Sequence, residues 1–352
     1  MSDSPSTAQP VVWHLGRHGE VAGGMTQVVN AYLAWPFSRS HVKVIASRDG
    51  SKGPRAWYLA WRALQRVFLL DRSQPQVLVA HLSQGGSFVR EGMLMCLAAW
   101  RGVPTIAHLH GSSFAAFARR RPFWVRRVLG HANAVIALSD ETSNAVRTLL
   151  PHARIERLPN AVPAGRPRDK EQLVVFGGVV SARKGVDILV KAWRAAGAGR
   201  GWTLVIAGPH VDPTVVDLSL PDALWLGGVA HSELMEWLDR SAVAVLPSRD
   251  EAMPMFILEA MARDNCVIAG AVGGIPAVLS EGRGYLVAPG SLSDLTTVME
   301  EVLTDQRARQ AVAAKGREAF DTNFSSAAVY PRIEDLWIQV ALGTGYGHRG
   351  GR

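Results

Sequence analysis

Two glutamates in the C-terminal half, Glu251 and Glu259, lie eight positions apart in the segment PSRDEAMPMFILEAMA (247–262). An apolar run ends at Leu246, so we expect Glu251 on a loop and Glu259 more than one turn into a helix that Pro254 opens. A carboxylate accepts two hydrogen bonds, which suits the paired hydroxyls of a ribose or a hexose. The alternative is a capped helix with two solvated acids, and the apolar neighbours of Glu259 argue against it. The spacing therefore predicts two carboxylates that reach one elongated ligand, whose anionic centre rests at the helix N-terminus.

Three further features are candidates for contact with such a ligand. Gly23 and Gly24 follow the first apolar run and open a helical pattern, so their N–H groups could approach phosphates, although a tight turn explains the pair equally well. His110 ends the run TIAHLH before Gly111, where a histidine is either a site residue or a structural one. Lys184 is one of six lysines beside 32 arginines, and its place at a strand-to-helix junction favours function over a solvated helix start.

The elements that must position these residues alternate between short β-type runs and amphipathic stretches of helix length. In the N-terminal half the runs are 11–15, 41–46, 77–82, 105–110 and 134–138. In the C-terminal half they are 173–178, 203–208, 223–228, 242–248 and 266–270. Apolar runs of this kind are typical of strands buried on both faces of a parallel sheet, with helices as crossovers. The alternation predicts two doubly wound halves.

The alternation is interrupted in the segment 155–172, where three prolines, a glycine and a charge cluster indicate a linker. We therefore predict an α/β fold with two Rossmann-like doubly wound domains that face a cleft. Their predicted bounds are 1–163 and 164–325, and a last segment, 326–352, contains a helix that crosses back to the first domain. Open α/β sheets bind ligands at the carboxyl ends of their strands, so the cleft is the expected site.

The composition excludes several classes of protein. A chain of 352 residues that is 48% hydrophobic and 19% charged is neither disordered nor a coiled coil. Its two cysteines exclude a disulfide scaffold and a cysteine-rich zinc module, so a reducing cytoplasm is expected. The N-terminus lacks the pattern of a signal peptide, and no window has the length of a membrane span. The sequence also contains no D-x-D triplet and no histidine, cysteine and aspartate cluster with metal-ligand spacing, so we predict no essential metal.

The sequence resembles the retaining nucleotide-sugar glycosyltransferases of family 4, which have the GT-B fold. The motifs that carry the resemblance most closely are Glu251-x7-Glu259 within PS-x-x-E-x-x-P-x-x-x-LEAMA, GGIPAVL (273–279) and GYLVAPG (284–290). It also takes in GGMTQVV (23–29), HLHGSS (108–113), ALSDETSNAV (137–146), LPNAV (158–162) and GGVVSARKGVDILVKAW (177–193). The resemblance implies transfer of a hexose-type sugar, with retention, from a UDP- or GDP-sugar to a glycan or lipid-linked acceptor in bacterial surface polysaccharide synthesis. It also implies that no metal or other cofactor is needed.

The resemblance assigns roles to individual residues in the C-terminal half. It implies that Glu259 holds the ribose hydroxyls and that Glu251 faces the hexose hydroxyls or the anomeric centre. Arg183 and Lys184 would clamp the diphosphate, because a departing nucleoside diphosphate gains negative charge that fixed cations stabilise. The remaining donor contacts that the resemblance implies in this half are Met255, Gly273 and Gly274.

In the N-terminal half the resemblance implies two further contacts. It places Gly23 and Gly24 under the donor diphosphate and His110 beside the reacting sugar, where this histidine would stabilise the reacting region. The N-terminal domain would bind the acceptor and the C-terminal domain the nucleotide-sugar.

The chain departs from the family pattern at several positions. Val179 stands where an arginine is common, and Ala252 replaces the glycine after the first glutamate. These positions bear on the donor sugar more than on the reaction. A nucleotide-sugar epimerase on the same fold and a non-catalytic sugar-nucleotide- or glycan-binding relative are the alternative functions. Donor turnover that is lost on Glu259→Ala with the fold intact would separate an enzyme from a binder.

The net positive charge lies in the N-terminal half. Residues 1–165 contain 19 Lys and Arg against 8 Asp and Glu, whereas residues 166–352 contain 19 against 22. Two segments, 54–72 and 114–129, combine aromatic residues with arginines. The arginines are Arg55, Arg62 and Arg66 in the first segment and Arg119, Arg120, Arg121, Arg126 and Arg127 in the second.

This pattern suits docking on anionic lipid headgroups, and the alternative is an aromatic core face opposite solvated arginines. Nucleic acid is not an expected partner, because no nucleic-acid-binding motif accompanies the charge. We expect a cytoplasmic protein that is peripheral at the inner face of the cell membrane.

Overall fold

The computed structural model describes residues 9–17, 19, 23–49, 51, 53–166, 168–197, 200–210 and 220–344. Contacts within the chain divide it into two units. The first unit comprises the residues up to Asn160 together with those from Val329 onward, and the second comprises Ala161–Ala328. Each unit contains one six-stranded sheet, and the paired strands of both sheets run parallel. The fold class that the strand and helix rhythm predicts is confirmed.

The sheet of the first unit has the strand order β2-β1-β3-β4-β5-β6. Its strands are β1 (Val11–Gly16), β2 (His41–Ala46), β3 (Gln76–Leu82), β4 (Thr105–Leu109), β5 (Ala134–Ala137) and β6 (Ile155–Arg157). The helices that connect them are α1 (Gly24–Ala34), α2 (Pro54–Phe68), α3 (Gly86–Trp100), α4 (Phe114–Arg120), α5 (Pro122–Leu129) and α6 (Asp140–Leu149).

The sheet of the second unit has the order β12-β11-β10-β7-β8-β9. Its strands are β7 (Glu171–Gly177), β8 (Thr203–Ala207), β9 (Ala223–Gly227), β10 (Ser241–Leu246), β11 (Cys266–Gly270) and β12 (Tyr285–Val287). Its helices are α7 (Val186–Ala192), α8 (His231–Arg240), α9 (Met255–Met261), α10 (Ile275–Leu279), α11 (Leu292–Thr304) and α12 (Gln306–Asn323). A last helix, α13 (Ser326–Leu342), follows.

The central strands are mostly apolar because both faces of each sheet are covered. Every residue of β3, β4, β5 and β11 is buried, as expected for parallel strands with helices on two sides. Two aromatic residues of α13, Tyr330 and Trp337, lie within the first unit against Tyr32, Phe37 and His14. Helix α13 thereby covers β1 and α1 in that unit.

The structure differs from the sequence-based expectations at four places. The predicted linker begins with a real strand, β6, which pairs with β5. Strand β12 lies in a segment in which the sequence pattern predicts no strand, because three residues at a sheet edge are too few to show a run or an alternation of apolar residues. The helical stretch 114–129 is two helices separated by Arg121, since Pro122 starts the second. Pro254 is the residue before α9 and not its first residue.

Candidate functional site

A tight turn after β7 positions Arg183 and Lys184. Residues Ala182–Lys184 form one turn of 3₁₀ helix, and the side chain of Ser181 accepts a hydrogen bond from the backbone N–H of Lys184. Gly185 then adopts φ +74° before α7, and a Cβ there would lie 2.0 Å from the carbonyl oxygen of Pro247. Glycine is therefore required at 185, both by its backbone conformation and by the close approach of the loop after β10.

Backbone hydrogen bonds join this turn to the loop that follows β10. The backbone N–H of Arg249 donates to the carbonyl of Arg183 at 2.8 Å, and Nη1 of Arg183 donates to the carbonyl of Asp250 at 2.9 Å. The guanidinium of Arg249 forms a bidentate pair with Asp187 at 2.6 and 2.8 Å. Strands β7 and β10 are neighbours in a parallel sheet, so the two loops leave from the same edge.

The joined loops bring Lys184 and Glu251 into an ion pair between Nζ and Oε1. The hydroxyl of Ser248 donates to the same Glu251 oxygen at 2.9 Å. Both charged side chains are largely buried, with 15% of Lys184 and 10% of Glu251 exposed. The two residues that the sequence assigns to the diphosphate and to the hexose thus bind each other. Sequence reasoning missed this pairing and the contribution of Ser248.

Glu259 lies on α9 and is paired with a histidine that the sequence analysis did not select. Nε2 of His231, the first residue of α8, lies 2.8 Å from Oε1 of Glu259. Glu259 is buried, whereas 43% of the His231 side chain is exposed. The hydrogen bond to Glu259 raises the pKa of His231 above its ordinary value. The position of His231 at a helix start, shortly after a strand that ends in glycine, is the signal that could have identified it.

Three further predicted donor contacts, Met255, Gly273 and Gly274, belong to the second unit. Met255 is buried as the first residue of α9. Gly273 has φ +55° and would carry a Cβ 1.7 Å from the carbonyl oxygen of Glu251, so only glycine fits there. The backbone N–H of Gly274 donates to the carbonyl of Ala252 at 2.7 Å. This hydrogen bond joins the segment before α10 to the loop after β10.

In the first unit, Gly23 and Gly24 lie between β1 and α1. Gly23 has φ +137°, and Gly24 is the first residue of α1. Both glycines are exposed, and a Cβ at either would meet nothing within 4 Å. Strand β1 has β2 on one side and β3 on the other, which is the point where the strand order reverses and where open α/β sheets bind ligands.

His110 follows β4 and belongs to a cluster of four histidines. His14, His81 and His108 are buried on β1, β3 and β4, which are adjacent strands, and the ring of His110 lies 4.0 Å from that of His108. Nδ1 of His14 lies 2.8 Å from Nε2 of His81, and Nδ1 of His81 lies 2.9 Å from Nε2 of His110. Burial lowers the pKa of all four rings, to about 3 for His14 and His110. The rings are therefore neutral at physiological pH.

Three of these rings also have the spacing of a metal site. Within the described part of the chain, one ring nitrogen each from His81, His108 and His110 lie within 4.8 Å of one another. Sequence spacing did not reveal this group, because its members come from two strands. Both ring nitrogens of His81 are already bonded to other histidines, and the group contains no carboxylate to offset a cation. Three members of the cluster, His14, His81 and His110, form a hydrogen-bonded chain, and neither ring nitrogen of His108 has a described partner.

The two arginine-rich segments expose their aromatic residues. On α2 the small residues Ala63 and Val67 are buried, whereas 79% of Trp57 is exposed. The other exposed apolar side chains of α2 and its end are Tyr58, Trp61, Leu64, Phe68 and Leu69, and those of α5 are Phe123 and Trp124. The eight arginines named above are exposed as well. The alternative interpretation, in which this aromatic face is core, is wrong because the helix buries its alanine side instead.

Comparison with known proteins identifies the family. The family model described as Glycosyltransferase Family 4 matches residues 11–166, and the model described as Glycosyl transferases group 1 matches residues 170–305. The chain is 24% identical, over 277 residues, to the alpha-D-kanosaminyltransferase of Streptomyces kanamyceticus, and the match covers 68% of this chain and 72% of the relative.

Solved structures show the same fold over nearly the whole chain. Sucrose-phosphate synthase from Thermosynechococcus elongatus has a TM-score of 0.75 at 18% identity, with 95% of this chain and 100% of that one covered. Anabaena HepE in complex with UDP and glucose has a TM-score of 0.68 at 15% identity, with 93% and 99% covered. The two family matches together span most of the sequence. The chain belongs to glycosyltransferase family 4, the retaining enzymes of GT-B fold that transfer a sugar from a nucleotide-sugar.

Proposed function

We propose that this chain transfers a hexose from a UDP- or GDP-sugar to a glycan or lipid-linked acceptor in bacterial surface polysaccharide synthesis. One observation carries the donor assignment. Arg183, Lys184 and Glu251 meet on two hydrogen-bonded loops at the carboxyl ends of adjacent strands, β7 and β10. Cations and a carboxylate held together at this edge suit a ligand that has both phosphate and hydroxyl groups.

The charge of each side chain determines which part of the donor it contacts. Lys184 and Arg183 stabilise the departing diphosphate, whose negative charge grows in the transition state. Because Lys184 is largely buried, its attraction to that charge exceeds that of a solvated lysine. When the donor binds, the carboxylate of Glu251 exchanges its contact with Lys184 for hydrogen bonds to the hexose hydroxyls. The hydroxyl of Ser248 keeps that carboxylate in place.

Glu259 binds the ribose in this proposal. His231 contacts Oε1 of the carboxylate, which leaves Oε2 to accept a hydrogen bond from a hydroxyl. His110 contacts the reacting sugar, as the family resemblance implies. The similarity to HepE, which was solved with UDP and glucose, supports UDP as one of the two bases to test.

The test is turnover of a panel of UDP-, GDP- and ADP-sugars, measured as release of nucleoside diphosphate and of free or transferred sugar. We expect one base to support turnover and the Glu259→Ala variant to lose at least tenfold in donor affinity, because hydrogen bonds to a charged group contribute about 1.5–3 kcal/mol. Glu236→Ala, an exposed glutamate on α8, is the matched control. A folded wild-type protein without turnover of any donor would contradict the proposal, and conversion of donor into an isomeric nucleotide-sugar would indicate an epimerase.

We also propose that the first unit docks on an anionic membrane at the inner face of the cell membrane. Helix α2 contacts α3, and α3 contacts α5, so the exposed aromatics of α2 and α5 lie on helices of one layer. Aromatic rings flanked by exposed arginines fit the boundary between acyl chains and anionic headgroups, where each arginine contributes about 1 kcal/mol. No helix in the described part of the chain has the length and apolarity that crossing a bilayer requires.

A further inference from the structure

Three histidines in the first unit form a continuous chain of ring-to-ring hydrogen bonds. It runs from His14 on β1 through His81 on β3 to His110 after β4, with N···N distances of 2.8 and 2.9 Å. His14 and His81 are fully buried, and His110 is partly exposed. The chain thus has an inner end, Nε2 of His14, and an outer end, Nδ1 of His110.

The positions of the protons along this chain are coupled. Burial keeps each ring neutral, and a neutral imidazole has one N–H and one bare nitrogen. Each contact needs one donor and one acceptor. If His14 donates from Nδ1, then His81 donates from its own Nδ1, and the proton of His110 must be on Nδ1. If the direction is reversed, His110 donates from Nε2 and His14 has its proton on Nε2.

The inner end of the chain decides between the two directions. Within the described part of the structure, Nε2 of His14 is buried and has no hydrogen-bond partner. The ring of Trp337 lies edge-on to His14 at 5.1 Å, and its indole N–H is also buried without a partner. The reversed direction would place two orphaned N–H donors in one apolar pocket. The forward direction leaves a bare nitrogen near the indole, and under-satisfied acceptors are less rare in proteins than orphaned donors.

We propose that His81 and His14 are positioning residues that hold His110 in the tautomer with its proton on Nδ1. His110 then presents an N–H donor at the outer end of the chain, and its Nε2 is occupied by His81. This inference rests on the proposed function for the contact between His110 and the sugar. In that contact His110 is a neutral hydrogen-bond donor to an oxygen and not a base.

The test reads the tautomers directly. Protein labelled with ¹⁵N in its histidine rings and dialysed against EDTA is examined by long-range ¹H–¹⁵N correlation NMR, without substrate. The signals of His14, His81 and His110 are assigned by single substitution. We expect all three rings to be protonated on Nδ1. Protonation of His110 on Nε2 in the wild-type protein would overturn the proposal.

Two substitutions at 81 separate positioning from packing. Asn places its amide near the position of the imidazole Nδ1, so His81→Asn should keep His110 in the Nδ1 tautomer, whereas His81→Leu should produce a mixture. His108→Leu is the matched control, since this ring contacts His81 and His110 but neither of its nitrogens has a described partner. A single unchanged His110 tautomer in His81→Leu, or an equal disturbance in His108→Leu, would overturn the positioning role.

The readout also distinguishes this inference from the proposed function. Tautomers are measured in the free protein, so they do not depend on finding the donor. Absence of turnover with every nucleotide-sugar would contradict the proposed function and leave the tautomer result standing. Turnover together with His110 protonated on Nε2 would contradict only the inference.

Discussion

At the scale of single residues, the carboxylate assigned to the ribose is hydrogen-bonded to a partly exposed histidine. Glu259 is buried. Among its described hydrogen-bond partners, His231 is the only one that titrates near neutral pH. Protonated His231 forms an ion pair with Glu259, and neutral His231 leaves a carboxylate with one weaker partner. The proton on His231 therefore links the pH to the stability of the second unit.

The sign of this linkage is fixed by the direction of the pKa shift. The pKa of His231 is higher in the folded protein than in the unfolded chain, where it is about 6.5. Its contribution to the free energy of unfolding is thus fully present below about pH 6.5 and is lost as the pH rises through the folded value. Because His231 is partly exposed, the contribution is at most about 1 kcal/mol.

We predict that an NMR titration finds the pKa of His231 above the ordinary histidine value of about 6.5, and that Glu259→Gln removes the difference. In urea denaturation, the stability advantage of the wild type over His231→Gln should shrink between pH 6 and pH 8. An advantage that grows with pH, or an unchanged pKa of His231 in Glu259→Gln, would show that the contact does not control the proton.

At the scale of elements, helix α2 buries its small residues and exposes its large ones. A helix in an ordinary soluble protein shows the opposite pattern. The unusual orientation follows from α2 packing on α3 and β2, where Ala63 and Val67 fill the space. Trp57 and Trp61 are left on the outside, where they are available to a membrane surface.

We predict that the protein co-sediments with vesicles of phosphatidylcholine and phosphatidylglycerol, and that binding falls with salt. Trp57→Ser with Trp61→Ser should reduce binding at every salt concentration, because both rings are already exposed and their loss removes insertion. Arg62→Gln with Arg66→Gln should weaken the salt dependence, with a loss of about fivefold in partitioning per arginine.

Leu292→Ser, an exposed apolar residue of the second unit, is the control for nonspecific loss. Binding that depends neither on anionic lipid nor on salt would contradict the electrostatic part of this proposal. Unchanged binding in the double tryptophan variant would contradict the insertion part.

The sequence predicts elements well where burial produces a long pattern, and poorly where a tertiary contact decides. Strands such as β3 and β11 are buried throughout and mostly apolar because both faces are covered, so their positions are evident from the run of residues. Strand β6 has three residues at the sheet edge and no such run. The sequence pattern of α2 does not show which of its sides is buried. Both sides contain residues suited to burial, and packing against α3 determines which side faces the core.

The same contrast applies to the site. Motif spacing selects Lys184, Glu251 and Glu259, because their types and intervals belong to one family pattern. It does not reveal that Lys184 pairs with Glu251, that His231 pairs with Glu259, or that three histidines on adjacent strands meet a fourth that follows one of those strands. Those contacts join residues far apart in the chain, and only the fold brings them together.

At the scale of the whole molecule, two units with parallel six-stranded sheets place their candidate residues on the loops and helices that follow the carboxyl ends of the strands. The family membership establishes sugar transfer from a nucleotide-sugar, and the second unit contains the carboxylates and cations assigned to that donor. Nucleotide binding by the residues of the second unit is therefore the central requirement of the proposed function.

The most direct measurement is calorimetric titration of UDP and of GDP into the wild type, Glu259→Ala and the control Glu236→Ala. We predict that one nucleotide binds with a stoichiometry of one, that Glu236→Ala binds it equally well, and that Glu259→Ala binds it at least tenfold more weakly while remaining folded. Equal affinity of the wild type and Glu259→Ala for that nucleotide would contradict it.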